Sequence, residues 1–205
     1  FDGIKLENFL DINLNSIRIF NQEMNEGFSK ACNFGARNAK YKNFLFLTGA
    51  NMAGKSTFIK AVGVSVYLAH LGMGVPATKM QLSLFDGLLS NINVVDKIIK
   101  GESYFFNEVQ RIRNTIEKIS DGRNWLILID ELFKGTNVQD AMKCSTTVIE
   151  GLRKMKNVLF ILSTHLYEIG EPLQQYSNIQ FRYFETSVQN EQLVFSYQLK
   201  EGISN

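Results

Sequence analysis

The sequence predicts an α/β fold in which helices flank a mainly parallel central sheet with antiparallel edge strands. Three short and almost wholly apolar runs are typical of parallel strands buried on both faces: Phe44 to Leu47, Trp125 to Asp130 and Val158 to Leu162. Segments with helical spacing of apolar residues separate these runs, and alternating strands and helices indicate this fold class. The stretches Ile179 to Thr186 and Leu193 to Leu199 then predict two antiparallel strands at the edge of the sheet.

The remaining elements divide the chain into two regions. Ile17 and Ile19 indicate a short strand within residues 1–43, which we predict to pack as a strand-and-loop region on a core domain of residues 44–205. Helical spacing of apolar residues predicts three helices in the core domain, over Lys55 to Leu71, Phe105 to Ile119 and Val138 to Leu152.

Composition narrows the class of protein. A chain of 205 residues with 45% hydrophobic and 20% charged residues suits one globular domain. No apolar run approaches the roughly 20 residues that cross a membrane, so we expect no membrane association. A net charge of +2 does not indicate a nucleic-acid groove, so any DNA contact should lie mostly outside this chain. Because the chain begins at Phe1 without an initiator Met or a basic leader, we expect a fragment of a longer protein with no secretion signal.

The first site motif is Gly49-x-x-x-x-Gly54-Lys55-Ser56, which matches the P-loop pattern and lies between a predicted strand and a predicted helix. We call residues 49–56 the glycine loop. Its glycines let backbone N–H groups surround phosphate oxygens, and the following helix N-terminus favours negative charge. Lys55 would reach the β- and γ-phosphates, and the Ser56 hydroxyl would bind Mg²⁺. The alternative is a glycine-rich turn with a surface lysine.

Two further polar groups follow predicted strands. The run ending in Asp130-Glu131 puts one carboxylate near the Ser56-bound Mg²⁺, and the next, Glu131, where it can polarise an attacking water. His165, after the third buried strand, should lie at the same edge of the sheet. An apolar run that ends in two acids is, on its own, more often a strand that meets solvent. Beside a P-loop the catalytic interpretation is favoured.

Five stretches together resemble one family: TGANMAGKST, GVPATKM, GESYFFNEV, LIDELFKGT and STH, in that order. They are similar to the C-terminal ATPase domain of the MutS family of DNA mismatch repair proteins, and the likeness extends from Phe44 to about Leu199. The resemblance implies a P-loop NTPase of the ABC-type ATPase class that hydrolyses ATP with Mg²⁺. It also implies a homodimer, or a heterodimer with a paralogue, joined through ATP-bridged domains. DNA would be bound by domains absent from this chain, and the protein would be cytoplasmic and DNA-associated.

The resemblance assigns roles to the phosphate- and metal-binding residues. Ser56 and Asp130 would be the Mg²⁺ ligands, and Lys55 would act both in binding and in catalysis. The residues expected to bind the nucleotide phosphates are consecutive: Gly49, Ala50, Asn51, Met52, Ala53, Gly54, Lys55, Ser56 and Thr57.

The resemblance also assigns three catalytic groups. Glu131 would position the water, and His165 would sense the γ-phosphate. Ser103 falls at the family's signature serine, which contacts the γ-phosphate bound to the other subunit. An N-cap of the following helix is the alternative role for Ser103 and is compatible with the first. Thr136-x-x-Gln139 matches a capping box, in a stretch that crosses the dimer interface in the family.

Contacts to the adenine base are expected from aromatic residues. In the family an aromatic residue shortly before the glycine loop stacks on the base, and Phe28 fits that place, with Phe34 as a rival. Tyr197 stands where family members often carry a histidine against the adenine. Ordinary packing in the core or on the surface is the alternative for all three.

Some residues depart from the family pattern. Ala50 replaces the usual proline, Ala53 the usual glycine and Phe133-Lys134 the usual Gly-Arg. Two alternatives to a mismatch repair ATPase therefore remain open. One is a MutS-like paralogue that acts on other DNA structures, and the other is a nucleotide-gated dimerisation module with little turnover.

Overall fold

The structure is a computed structural model of the chain, and it describes residues 17–20, 42–77, 79–92, 104–189 and 192–204. The strands, in chain order, are β1 Ile17–Phe20, β2 Phe44–Thr48, β3 Lys79–Leu82, β4 Gly87–Asn91, β5 Trp125–Asp130, β6 Val158–Ser163, β7 Ile179–Gln189 and β8 Gln192–Glu201. The helices are α1 Lys55–His70, α2 Tyr104–Ile119, α3 Val138–Leu152 and, after a 3₁₀ turn at Tyr167–Ile169, the short α4 Gly170–Leu173.

Six strands form one sheet in the order β4-β5-β6-β2-β7-β8. In this order, each strand from β4 through β5, β6 and β2 to β7 runs parallel to its neighbour, and β8 pairs antiparallel with β7. The last two strands pair antiparallel with each other, as predicted, but β7 is not an edge strand: it lies inside the sheet and runs parallel to β2 on its other side. The side-chain pattern of a strand reports which face is buried, but it does not reveal the direction of the partner strand.

The first strand is confirmed, but its partner was not predicted. β1 pairs antiparallel with β3 in a separate two-stranded sheet, with Ile19 opposite Met80. The rest of residues 1–43, apart from 42 and 43, lies outside the described residues, so its packing on the core stays a prediction.

The core lies on both faces of the main sheet. Leu45 and Leu47 of β2 point to the face covered by α1, whereas Phe44 and Phe46 point to the face that carries α3. All four side chains are fully buried, as predicted for a parallel strand covered on both sides. α1 lies close to the sheet because Gly63 has no side chain; a Cβ there would come 2.5 Å from Leu128 Cδ1. This packing holds the N-terminus of α1 at the carboxyl end of β2.

The start of α3 differs from the predicted capping box at Thr136. Asn137 is the N-cap, and its side-chain oxygen accepts a hydrogen bond from the Asp140 N–H at 2.9 Å. Asn is as good an N-cap as Thr or better, so the neighbouring residue took the role.

Among the described residues, no helix is both long enough and apolar enough to cross a membrane.

Candidate nucleotide site

The candidate site lies at the carboxyl ends of three adjacent parallel strands. β2 leads into the glycine loop, β5 ends at Asp130, and β6 is followed by His165. Asp130 pairs in register with Ser163, so the two strand ends are level. Crevices at this edge of an α/β sheet are where ligands bind in such folds.

The backbone of the glycine loop requires glycine at its first position. Gly49 has φ +143°, and a Cβ there would lie 3.2 Å from the Phe184 carbonyl oxygen. Gly54, with φ +103°, is the N-cap of α1 and contributes no side-chain cap. The first N–H groups of α1 are therefore not capped by a side chain from Gly54. Uncapped N–H groups at a helix N-terminus can bind an anion.

Lys55 is buried within the loop. Its ammonium donates to the carbonyl oxygens of Gly49 at 2.7 Å and Ala50 at 2.9 Å. Burial lowers the pKa of Lys55 below its usual value, and the carboxylates of Glu131 and Asp130 oppose this lowering. Lys55 and the two acids at the carboxyl end of β5 are thus within electrostatic reach of one another. Lys55 is therefore not a surface lysine on a glycine-rich turn, which was the alternative raised by the sequence.

Asp130 is held in place at the end of β5. It is buried, and the Ser163 hydroxyl donates a hydrogen bond of 2.5 Å to its Oδ1. Ser56 lies in the first turn of α1 and is half-buried. Among the described residues, no group of three or more His, Cys, Asp or Glu side chains forms a ready metal cluster.

Lys134 and His165 lie next to the Glu131 carboxylate. Lys134 Nζ lies 2.9 Å from its Oε2, and His165 Nδ1 lies 3.6 Å from its Oε1. The structure thus brings Glu131 and His165 together, as the sequence predicted. It adds Lys134, which replaces a family arginine and whose contact with Glu131 was not predicted. The segment is not helical, so the three-residue spacing of this pair was no signal of a contact.

Tyr197 lies beside the glycine loop. An irregular pairing between β7 and β8 bulges the chain there, and Tyr197 adopts φ +53° with most of its side chain exposed. Its Cδ1 is 3.4 Å from the place where a Cβ on Gly54 would stand. Phe28, Phe34 and Ser103 lie outside the described residues, so their roles stay predictions.

A cavity of about 260 Å³ opens next to the loop. Asn51 and His165 line it, and both were predicted site residues. Most of the other lining residues were not predicted, because they come from β7 and from the end of the chain. Its lining consists of Gly49, Ala50, Asn51, His165, Tyr167, Tyr183, Phe184, Thr186 and Ser204.

Comparison with known families decides the relationship. A family model described as MutS domain V matches residues 45–205. The chain belongs to the MutS family. Its relatives include the DNA mismatch repair protein MutS of Bacillus subtilis (strain 168), 33% identical over 167 residues that cover 80% of this chain and 19% of the relative. MutS of Geobacillus sp. (strain WCH70) is 31% identical over 163 residues, covering 80% of this chain and 19% of the relative. MutS of Pseudothermotoga lettingae is 32% identical over 164 residues, covering 80% and 20%. The chain therefore spans about a fifth of the length of the MutS proteins that it matches.

The match corrects the predicted fold class. We expected a P-loop NTPase of the ABC-type ATPase class, but the family model that matches is MutS domain V. The fold class is therefore α/β, assigned as MutS domain V. The prediction went too far because the motifs occupy single loops, and a loop motif indicates local chemistry but not the class of the whole sheet.

Proposed function

We propose that this part of a MutS-type DNA mismatch repair protein binds ATP with Mg²⁺ and hydrolyses it. The observation that carries the proposal is the buried Lys55 ammonium, seated in the glycine loop within electrostatic reach of Asp130 and Glu131. A buried cation is costly unless it is paired and hydrogen-bonded. The loop carbonyls and the nearby carboxylates offset part of that cost for Lys55, and a bound phosphate would offset more.

The residues fit a triphosphate. A side chain at Gly49 would fill space next to the Phe184 backbone, so glycine keeps the loop open and its backbone accessible. The N–H groups at the start of α1 would donate to phosphate oxygens, and Lys55 would exchange its two carbonyl partners for phosphate oxygens. Tyr197, exposed beside Gly54, offers a flat aromatic face to the base.

The residues also fit Mg²⁺. This ion is usually held by one or two protein groups, substrate phosphates and water rather than by a full protein cage. Ser56 would contribute its hydroxyl, and Asp130, oriented by Ser163, would contribute a carboxylate, directly or through water. When bound, Mg²⁺ neutralises charge on the phosphate oxygens.

Glu131 is the group proposed to orient the attacking water. Its carboxylate would accept a hydrogen bond from that water, while His165 on its other side would contact the γ-phosphate. Lys134 holds one carboxylate oxygen, so this ion pair has to loosen, or the water has to approach the other oxygen.

The remaining parts of the proposal concern assembly. Two copies, or one copy and a paralogue, would share the site, with Ser103 of one subunit reaching the nucleotide of the other. DNA would be bound by other parts of the protein, consistent with relatives that are named DNA mismatch repair proteins. A cytoplasmic, DNA-associated location follows from the same proposal.

The Lys134–Glu131 ion pair also favours a second candidate function. If the pair persists with nucleotide bound, ATP would control dimerisation with little turnover. The test is phosphate release and nucleotide binding by the complete protein and its Glu131→Gln variant, with the exposed Glu117→Gln on α2 as control. We expect Glu131→Gln to keep ATP affinity and to lose roughly two orders of magnitude in turnover. A parent no faster than Glu131→Gln would favour the gated module, and a parent that binds no ATP would refute both functions.

A further inference from the structure

The segment after β5, residues 131–135, has an unusual backbone. Two of its non-glycine residues, Glu131 and Phe133, lie in the left-handed region, with φ of +61° and +57°. Residues with side chains are strained there, and such conformations persist only when the surroundings impose them. The direction of the Glu131 side chain therefore depends on what holds this segment.

Helix α2 supplies two contacts to Phe133. Glu108 Oε1 accepts a hydrogen bond from the Phe133 N–H at 3.1 Å, and the Phe105 ring lies 5.4 Å from the Phe133 ring, centre to centre. Phe105 and Glu108 are three residues apart on α2 and so share one face of the helix. Glu108 thus hydrogen-bonds to the backbone of Phe133, and Phe105 packs against its ring.

Burial of the Glu108 side chain costs free energy. Its side chain is buried, and burial raises the pKa of its carboxyl group, although the N–H groups of Lys134, Phe133 and Gly135 oppose the rise. Its Oε2 has no hydrogen-bond partner within the described part of the chain. A buried carboxylate with one unsatisfied oxygen is a poor source of stability, so its geometry needs another reason.

We propose that Glu108 is a positioning residue for Glu131. By accepting the Phe133 N–H it holds the 131–135 segment in its left-handed conformation and so aims the Glu131 carboxylate at the nucleotide site. The inference rests on the proposed ATP hydrolysis for its catalytic part only.

The experiment compares three variants of the complete protein. Glu108→Leu removes the acceptor, Glu108→Gln keeps an acceptor oxygen without charge, and Glu117→Leu is the matched control on the exposed face of α2. We measure hydrogen exchange of the Phe133 amide without nucleotide, the Kd of a non-hydrolysable ATP analogue, and kcat and KM for ATP.

For Glu108→Leu we expect faster exchange at Phe133, a kcat lower by about 10- to 100-fold, and a Kd within about threefold of the parent. Glu108→Gln should retain kcat to within about threefold, and Glu117→Leu should match the parent. A lower kcat with a nearly unchanged Kd would not arise from a general loss of structure, because that would lower nucleotide affinity together with kcat.

A second arm covers poor folding of Glu108→Leu. Glycine adopts φ near +60° without strain, so in a Phe133→Gly background the change of Glu108 should cost much less kcat than in the parent. Unchanged exchange and unchanged kcat in Glu108→Leu overturn the inference, as does an equal cost in both backgrounds. A parent without ATP turnover overturns the proposed function instead, and Phe133 exchange then decides whether Glu108 holds the segment.

Discussion

Replacing Lys55 by methionine tests the glycine loop. Methionine keeps most of the length and apolar volume of lysine but removes the ammonium that now donates to the Gly49 and Ala50 carbonyls. The effect on folding should be small, because the lost hydrogen bonds are offset by removal of a charge whose burial already lowers the pKa of Lys55. The effect on nucleotide binding should be larger.

The magnitude follows from the contacts that Lys55 exchanges. Two hydrogen bonds from an ammonium to phosphate oxygens contribute about 1.5–3 kcal/mol each, or about 3–6 kcal/mol together. Giving up the two carbonyl partners, at about 1 kcal/mol each, leaves a net contribution of about 1–4 kcal/mol. We therefore expect the Kd of the ATP complex to rise by about 5- to 1,000-fold.

The assay is isothermal titration of the complete protein with a non-hydrolysable ATP analogue and Mg²⁺. Lys60→Met is the control, since Lys60 is an exposed lysine on the same helix. The Tm of each variant shows whether it is folded. A folded Lys55→Met protein with the affinity of the parent would refute the reasoning that places phosphate at this loop.

Three further changes test other groups. Mixing inactive Ser103→Arg and Lys55→Ala proteins should restore phosphate release, because one of the two shared sites in the mixed dimer is intact; dimers without activity would contradict the shared site. Tyr197→Ala should weaken ATP binding by about 3- to 10-fold without weakening binding of inorganic triphosphate, while Tyr67→Ala, an exposed aromatic on α1, should have no effect on either titration. For Glu108 the folded pKa is raised above 4.5, so its contribution to stability is present below that value and is lost as pH rises through the folded pKa. Urea unfolding should therefore show Glu108→Gln gaining stability relative to the parent as pH rises above about 4.5, and a constant difference would speak against a buried, protonation-sensitive carboxyl group.

The sequence by itself determined the elements that carry the site. Continuous apolar runs identified β2, β5 and β6, and helical spacing identified α1 between the first two of them. These patterns report burial on both faces of a strand or on one face of a helix, which is a local property. That Gly49 and Lys55 meet in one loop could be predicted for a related reason, because residues so close in the chain stay close in the structure. That this loop binds phosphate stays a prediction.

Only the tertiary structure decided which distant segments meet. The parallel pairing of β7 with β2, the approach of Tyr197 to Gly54 and the hydrogen bond from Phe133 to Glu108 each join residues far apart in the chain. Apolar periodicity says that a face is buried but not which face covers it, so partners of this kind cannot be obtained from local pattern. The strained φ of Glu131 and Phe133 belongs to the same group, since a non-glycine residue enters that region only when contacts from elsewhere hold it there.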